Sequence, residues 1–383
     1  MMPSGWNSDL TPLMGQISQV ATGGGVLRVM TAGARLALAL PAQRRAAMVV
    51  AELYQPQRLK GRLFLALAKI AIASGLARWL PAYQFPAAAA PQAAWLQAAA
   101  ATGSVGFLGC NPNHGPRCVL AGIDPDTGAK FVAKLGLAQS AAAVRREAAV
   151  LHRLHGKFPG VVGSLGLETR AAADGGPSGN IIPPPAGVLS ADPAAVAGDW
   201  ALLRLPHLGI ESPKSMADVR ITRLLEQWLG GESFLLGERP WSAALIAKVP
   251  LAAAPAGWHQ RMRSLRIRGA LLHGDFAVWN LRVATHGLVA IDWEWADENA
   301  VAGVDLAHGL RQECYMVRGM PPPQAVPWML AQAASAGWRE YLKLSGWGDA
   351  CEDWLRLGLL HSHFNALNPS ADLLGELGIH LEA

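Results

Sequence analysis

Residues His273-Gly274-Asp275-Phe276-Ala277-Val278-Trp279-Asn280 (HGDFAVWN) stand between the apolar runs RGALL and LRV, and another apolar run, LVAI, ends shortly before Asp292. That order of polar groups has chemical content. Phosphoryl transfer needs a carboxylate to orient and deprotonate an attacking hydroxyl, and oxygen ligands for the magnesium that neutralises the phosphates. Asp275, in a loop expected to join a helix to a strand pair, is the candidate for the first task. Asn280, one loop-length on, can turn its amide oxygen to a metal. The strand pair LRV/LVAI, closed by ATHG, then delivers Asp292 at a strand end, 17 residues after Asp275. That carboxylate is the candidate main metal ligand. His273 is expected to bond loop backbone through its ring, with Phe276, Val278 and Trp279 packed beneath.

The pattern His-x-Asp-x-x-x-x-Asn followed by Ile-Asp-Trp-Glu resembles the catalytic loop and metal-binding strand of the aminoglycoside phosphotransferase and choline kinase family, a branch of the protein-kinase-like fold. The likeness continues in VAGVDLAHGL, where Asp305 matches the acidic residue that braces the catalytic loop from a following helix. The resemblance implies a two-lobe α+β fold, with a small antiparallel-sheet N-lobe over a larger helical C-lobe and a cleft between them. It implies ATP as donor, Mg2+ as cofactor and a small-molecule hydroxyl as acceptor: an amino alcohol, an aminoglycoside-like compound, a sugar or a glycan end.

Kinase chemistry also requires a lysine on the third strand to touch the α- and β-phosphates, held by a glutamate from the next helix. FVAK places Lys134 on the expected third strand, and RREAAVL places Glu147 in the helix that follows. One departure from the kinase pattern stands out. No GxGxxG joins the first two strands, and Gly103, Gly106 and Gly109 have the wrong spacing to cover phosphates. Backbone amides in Asn111 to Gly115 are the candidates for that task, and LRLPHLG is the expected adenine connection. The resemblance covers about residues 101 to 365 and does not reach the first hundred.

Three sections are expected along the chain. Residues 1–100 are Ala/Leu-rich and read as a helical N-terminal extension, closing in the low-complexity linker FPAAAAPQAAW. Residues 101–206 read as the N-lobe. SVGFLGC, CVLAGID and AKFVAKLG are three strands with DPDTG as a turn, SAAAVRREAAVLHRLH is a helix, and VVGSLGLE and WALLRL are two more strands. Between those last two, ten of the 29 residues of 171–199 are Gly or Pro, so a long loop is expected. Residues 207–383 read as mainly helical, broken by the strand pair around the motif.

Composition narrows the function classes. Half of the 383 residues are hydrophobic and 16% are charged, which supplies a core and excludes chain-wide disorder. Four cysteines with no metal-ligand spacing, and no secretory signal, read as reduced thiols in a cytoplasmic protein. The first hundred residues carry nine Lys or Arg against Asp9 and Glu52 alone. No aromatic-interleaved basic cluster accompanies them, so no nucleic-acid partner is expected. The apolar run from Leu63 to Leu80 is interrupted by Lys69 and Arg78 and is no membrane span. Two fates for residues 58–80 stay open: a helix docked on the kinase-like body, or a peripheral contact with an anionic membrane. The rivals to a working kinase are a catalytically silent nucleotide-binding regulator and a membrane-surface protein acting through these basic helices. The run Trp293-Glu294-Trp295-Ala296-Asp297-Glu298 offers aromatics and acids that would suit a cationic acceptor.

Overall fold

The computed structural model describes residues 26–31, 37–56, 58–80, 82–84, 102–108, 117–137, 139–170, 200–209, 211–364 and 371–381. The segment 111–116, the expected loop 171–199 and the linker 85–95 lie outside the described residues, as do the amides of Asn111 to Gly115. The chain is a mixed α/β protein with an antiparallel sheet and many helices. It divides into two compact units, residues 1–152 with 162–210, and residues 153–161 with 211–383.

The first unit is built on one eight-stranded sheet. Its strands are β1 (Val26–Thr31), β2 (Ala37–Leu40), β3 (Ala82–Gln84), β4 (Val105–Leu108), β5 (Arg117–Ile123), β6 (Lys130–Leu137), β7 (Gly166–Arg170) and β8 (Trp200–Pro206). The order across the sheet is β3-β1-β2-β4-β5-β6-β8-β7, with antiparallel pairing throughout. Helices α1 (Arg44–Leu53) and α2 (Leu59–Ser74) follow β2, and α3 (Gln139–Leu154) follows β6.

The expectation of a wholly helical first hundred residues is corrected here. β1, β2 and β3 are strands, and β2 pairs with β4 through Leu38↔Leu108 and Ala39↔Phe107. A four-residue apolar run such as ALAL carries no decisive period, so the sheet edge it meets decides its conformation. Gly106 explains itself at the same join. A Cβ there would lie 2.2 Å from the Ala39 carbonyl oxygen and 2.7 Å from Pro41. The glycine admits the neighbouring strand. Leu38, Leu40, Val49, Val50, Ala68, Ile72 and Ile123 form one buried cluster, which joins α1 and α2 to the sheet. Glu52 adds a polar tie, pairing with Lys130 at 3.0 Å and lying 3.3 Å from His207.

The second unit contains β9 (Leu229–Leu235), β10 (Arg266–Leu272), β11 (Leu281–Ala284), β12 (Gly287–Ala290) and β13 (Asp297–Val301). β10 is the central strand of a three-stranded antiparallel sheet, and β11 and β12 form a hairpin. The helices are α4 (Val219–Gln227), α5 (Pro240–Ala247), α6 (Trp258–Ser264), α7 (Val304–Gln312), α8 (Pro322–Ala333), α9 (Ala336–Ser345), α10 (Cys351–Phe364) and α11 (Ala371–Glu376). A second correction falls here. The run before HGDFAVWN is strand β10, not the end of a helix, because β9 and β13 pair with it on both sides. No helix among the described residues is long and apolar enough to cross a membrane.

Candidate active site

β10 ends at Leu272 and hands the chain directly to the HGDFAVWN loop. Gly274 takes φ +87°, and a Cβ on it would meet the Cβ and carbonyl oxygen of Trp295 at 2.6 Å each. Only glycine fits that turn. The loop is braced from α7, where buried Asp305 accepts the N–H of His273 at 2.7 Å and of Gly274 at 3.0 Å. Burial pushes the Asp305 carboxyl pKa up, against the lowering by these two N–H bonds.

The position of α7 is itself fixed by tryptophans. Trp354 donates to the Gly303 carbonyl at 2.9 Å, Trp347 to Ala302 at 2.8 Å, and Gly303 N–H reaches the Tyr341 hydroxyl at 3.1 Å. His273 is fully buried. Its Nε2 lies 2.8 Å from the Ile291 carbonyl and its Nδ1 lies 3.3 Å from the Asp275 N–H. A carbonyl can only accept and an amide can only donate, so the ring proton sits on Nε2. The ring lies against Trp293, tilted by 54° with 4.7 Å between centroids. His273 and Asp305 therefore both bond the backbone around the loop.

Asp275 is where the polar groups converge. Its Oδ2 accepts from Asn280 Nδ2 at 3.0 Å, and the same amide nitrogen donates to the Asp275 backbone oxygen at 2.9 Å. Both partners are acceptors, so the Asn280 amide must present its nitrogen to them and its oxygen elsewhere. Oδ1 of Asp275 lies 3.1 Å from His308 Nε2. Burial alone would raise the Asp275 pKa, but the hydrogen bond and charge of His308 outweigh it, and the carboxyl sits below its ordinary range. The Asp292 carboxylate opposes that shift by like-charge repulsion. Asp275 is thus an ionised acceptor at neutral pH.

Asp292 is the one non-glycine among the described residues with a positive φ, +70°. An L-residue there carries strain of about 1–2 kcal/mol, least for Asp and Asn. Its neighbours hold it in place. Ile291 N–H donates to the Asn280 carbonyl at 2.9 Å, Ala290 N–H to the Gly160 carbonyl at 2.8 Å, and Trp293 Nε1 to the Ala290 carbonyl at 2.8 Å. The hairpin end and the loop are consequently locked to one another.

Does this set fit a divalent cation? Among the described residues no group of three or more His, Cys, Asp or Glu stands ready to hold a metal. The donors on offer are one carboxylate, Asp292, and one amide oxygen, Asn280. That sparse, all-oxygen set suits magnesium, which is held by one or two protein oxygens together with phosphates and waters. The residues fit.

In the first unit, Lys134 Nζ lies 2.7 Å from both oxygens of Glu147, across from β6 to α3, with both side chains buried. A buried ion pair seldom adds net stability, because desolvation offsets the attraction.

His308, one turn along α7 from Asp305, is a site residue that the motif reading missed. Its Nδ1 lies 3.1 Å from Ser362 Oγ on α10, and Ser362 passes its own proton to the Gly358 carbonyl at 3.2 Å. The Asp275 carboxylate can only accept, so the ring proton of its bond to His308 sits on Nε2. Gln312 Nε2 lies 3.3 Å from the same Nε2. The signal in the sequence was a histidine three residues after Asp305, on the helix face of the brace. The acidic and aromatic run after Asp292 fares differently. Trp293 is fully buried, Glu294 is buried and accepts from Trp295 Nε1 at 3.1 Å, and Glu298 pairs with Arg153. Trp293 is core and offers no face to a ligand.

No family model matches this chain, and no curated protein matches it. Among solved structures it aligns with glucosamine kinase (crystal form B) at 11% identity and a TM-score of 0.27, over 68% of this chain and 88% of that one. Glucosamine kinase in complex with glucosamine, ADP and inorganic phosphate aligns at 12% identity and the same TM-score, over the same shares. Likeness at that TM-score carries no argument about this chain.

Proposed function

We propose that the protein is an ATP-dependent phosphotransferase of the protein-kinase-like, two-lobe type, acting on a hydroxyl of a small molecule. One observation carries the reading. An ionised Asp275 is held between the Asn280 amide and His308, on a loop braced by Asp305, with the strained Asp292 locked to the same loop. In this reading Asp275 orients the acceptor hydroxyl and receives its proton. The hydroxyl oxygen bonds to the γ-phosphorus as the bond to the bridging β–γ oxygen breaks, and ADP leaves with that electron pair. Bound magnesium supplies charge neutralisation of the phosphates, and Asn280 and Asp292 are the residues that would hold it. Lys134, kept extended by Glu147, positions the α- and β-phosphates. Sugars, polyols and amino alcohols all present a suitable hydroxyl. The burial of Trp293 removes one reason to favour a cationic acceptor.

Two variants test the assignment. Asp275→Ala should lower turnover by about 10²–10⁴ while leaving MgATP binding nearly intact, since its carboxylate serves the acceptor. Asp292→Asn should lose the magnesium-dependent part of ATP affinity as well as turnover. The checks are ATP consumption across a panel of small hydroxyl compounds and titration of ATP with and without magnesium. Wild-type turnover in the first variant, or wild-type MgATP affinity in the second, would overturn the corresponding role.

A further inference from the structure

Helix α2 has two apolar faces, and among the described residues only one of them is covered. Toward the protein it presents Phe64, Leu65, Ala68 and Ile72 to the cluster formed with α1 and the sheet. Gly61 lies on that side as well. A Cβ there would come within 2.7 Å of the Tyr54 hydroxyl and of Pro56, so glycine lets the helix settle. Tyr54 and Phe64 meet edge-on at 6.0 Å. That face is docked.

The opposite face is as apolar and lies open. Leu59 is 71% exposed, Leu63 56%, Leu67 63% and Ile70 61%. Spacings of four, four and three residues align them in one stripe at the 100° step of a helix. The stripe continues past the left-handed Gly75 cap into the 3₁₀ turn Leu76–Trp79, where Leu76 is 58% and Trp79 76% exposed. Ordinary soluble surfaces scatter such side chains singly. Here six stand in a row.

Charge identifies what would cover them. At 100° per residue, Arg62 and Lys69 fall on one flank of the stripe and Lys60 on the other, with Arg58 and Arg78 at its two ends. No Asp or Glu occurs between Glu52 and Asp124. Arg78 lies over the Trp79 ring at 5.3 Å, a tryptophan placed as at a water–lipid boundary. A protein partner's apolar groove would not require a field of one sign along the whole rim. A surface of anionic headgroups over acyl chains does, and long basic side chains can reach the headgroups while the leucines enter the acyl boundary.

We propose that the outer face of α2 and the turn Leu76–Trp79 form a peripheral docking surface for an anionic lipid bilayer, with the inner face anchoring the helix to the sheet. The two fates left open by the sequence are then the two sides of one helix.

The test uses the full chain and vesicles of phosphatidylcholine, alone or mixed with phosphatidylglycerol, read by co-sedimentation. Partitioning onto the anionic vesicles should exceed that onto neutral ones by at least about tenfold and fall at high salt. Arg58→Gln, Arg62→Gln and Lys69→Gln should each weaken anionic binding about fivefold. Leu63→Gln with Leu67→Gln should weaken it about tenfold or more. Leu63 and Leu67 lie on the open face, Arg62 and Lys69 on its flank and Arg58 at its end, outside the docked cluster, so the thermal melt serves as the control for folding and should not move. Equal binding to both vesicle types, or unchanged binding by the double leucine variant, overturns the proposal. So does an absence of vesicle binding. If the leucine variant instead abolishes self-association of the chain, the face belongs to a second copy.

Discussion

In the proposed function, His308 is the residue on which the ionisation of Asp275 turns. Burial works to protonate Asp275, and the imidazole beside it is what reverses the balance. Removing it as His308→Ala leaves the burial in place and takes away the compensation. The Asp275 pKa should then rise, and the acid limb of kcat/KM should move to higher pH. A hydrogen bond to a charged group contributes about 1.5–3 kcal/mol, so turnover at neutral pH should fall by roughly 10–100-fold. His308→Gln, which can still donate to Oδ1 without the charge, should recover part of the rate but not the pH profile. An unshifted limb in the alanine variant would separate His308 from the base. The grouping of Asp275, Asn280 and Asp292 as candidates was legible because one loop and one hairpin carry all three. His308 was not, since its partners Asp275 and Ser362 are 33 and 54 residues away. Chain-distant contacts leave no local pattern.

At the scale of elements, the turn DPDTG between β5 and β6 shows how a legible signal becomes a stabilising device. Asp124 accepts from the N–H groups of Asp126 at 3.0 Å and Thr127 at 2.9 Å, and pairs with Arg204 on β8. The Thr127 N–H first, and then the Arg204 side chain, hold its carboxyl at about 2. A pKa depressed on folding contributes stability above the unfolded value of about 3.9, and that stability is lost as pH falls through the folded value. Asp124→Asn should therefore melt lower than wild type at pH 7, by roughly 2–4 °C after allowance for solvent screening. The difference should shrink below pH 4 and vanish near pH 2. A gap that stays constant across that range would assign the effect to packing. The turn was readable because Asp, Pro and Gly dictate it locally. β9 was not, for LGGESFL has neither alternation nor β-branched residues and is a strand only because β10 pairs with it.

On the scale of the whole molecule, the described strands of the first hundred residues, β1, β2 and β3, belong to the sheet. A chain beginning at Pro91 would strip β2 from β4 and uncover Ile123, Ala121 and Leu108. It should aggregate through the bared strand edge, or melt at least about 10 °C lower, a shift worth a few kcal/mol for a unit of this size. Size-exclusion chromatography and a thermal melt would show it, and a soluble, equally stable truncated protein would overturn the point. The order β3-β1-β2-β4-β5-β6-β8-β7 also bears on synthesis. Each strand bonds only to strands one or two places away in the chain. Emerging from the ribosome, each therefore meets its partner already made, or waits for a single further strand. Little entropy is lost in closing such contacts, and the sheet can grow in the order the chain appears. One short piece cannot keep that schedule. Residues 153–161 leave the first unit and cluster with the second, where Pro159 bonds Trp228, and Gly160 and Val161 join Ala290. Until translation has passed Ala290, Gly160 and Val161 stay without their strand partner, a nascent-chain epitope that folding conceals late.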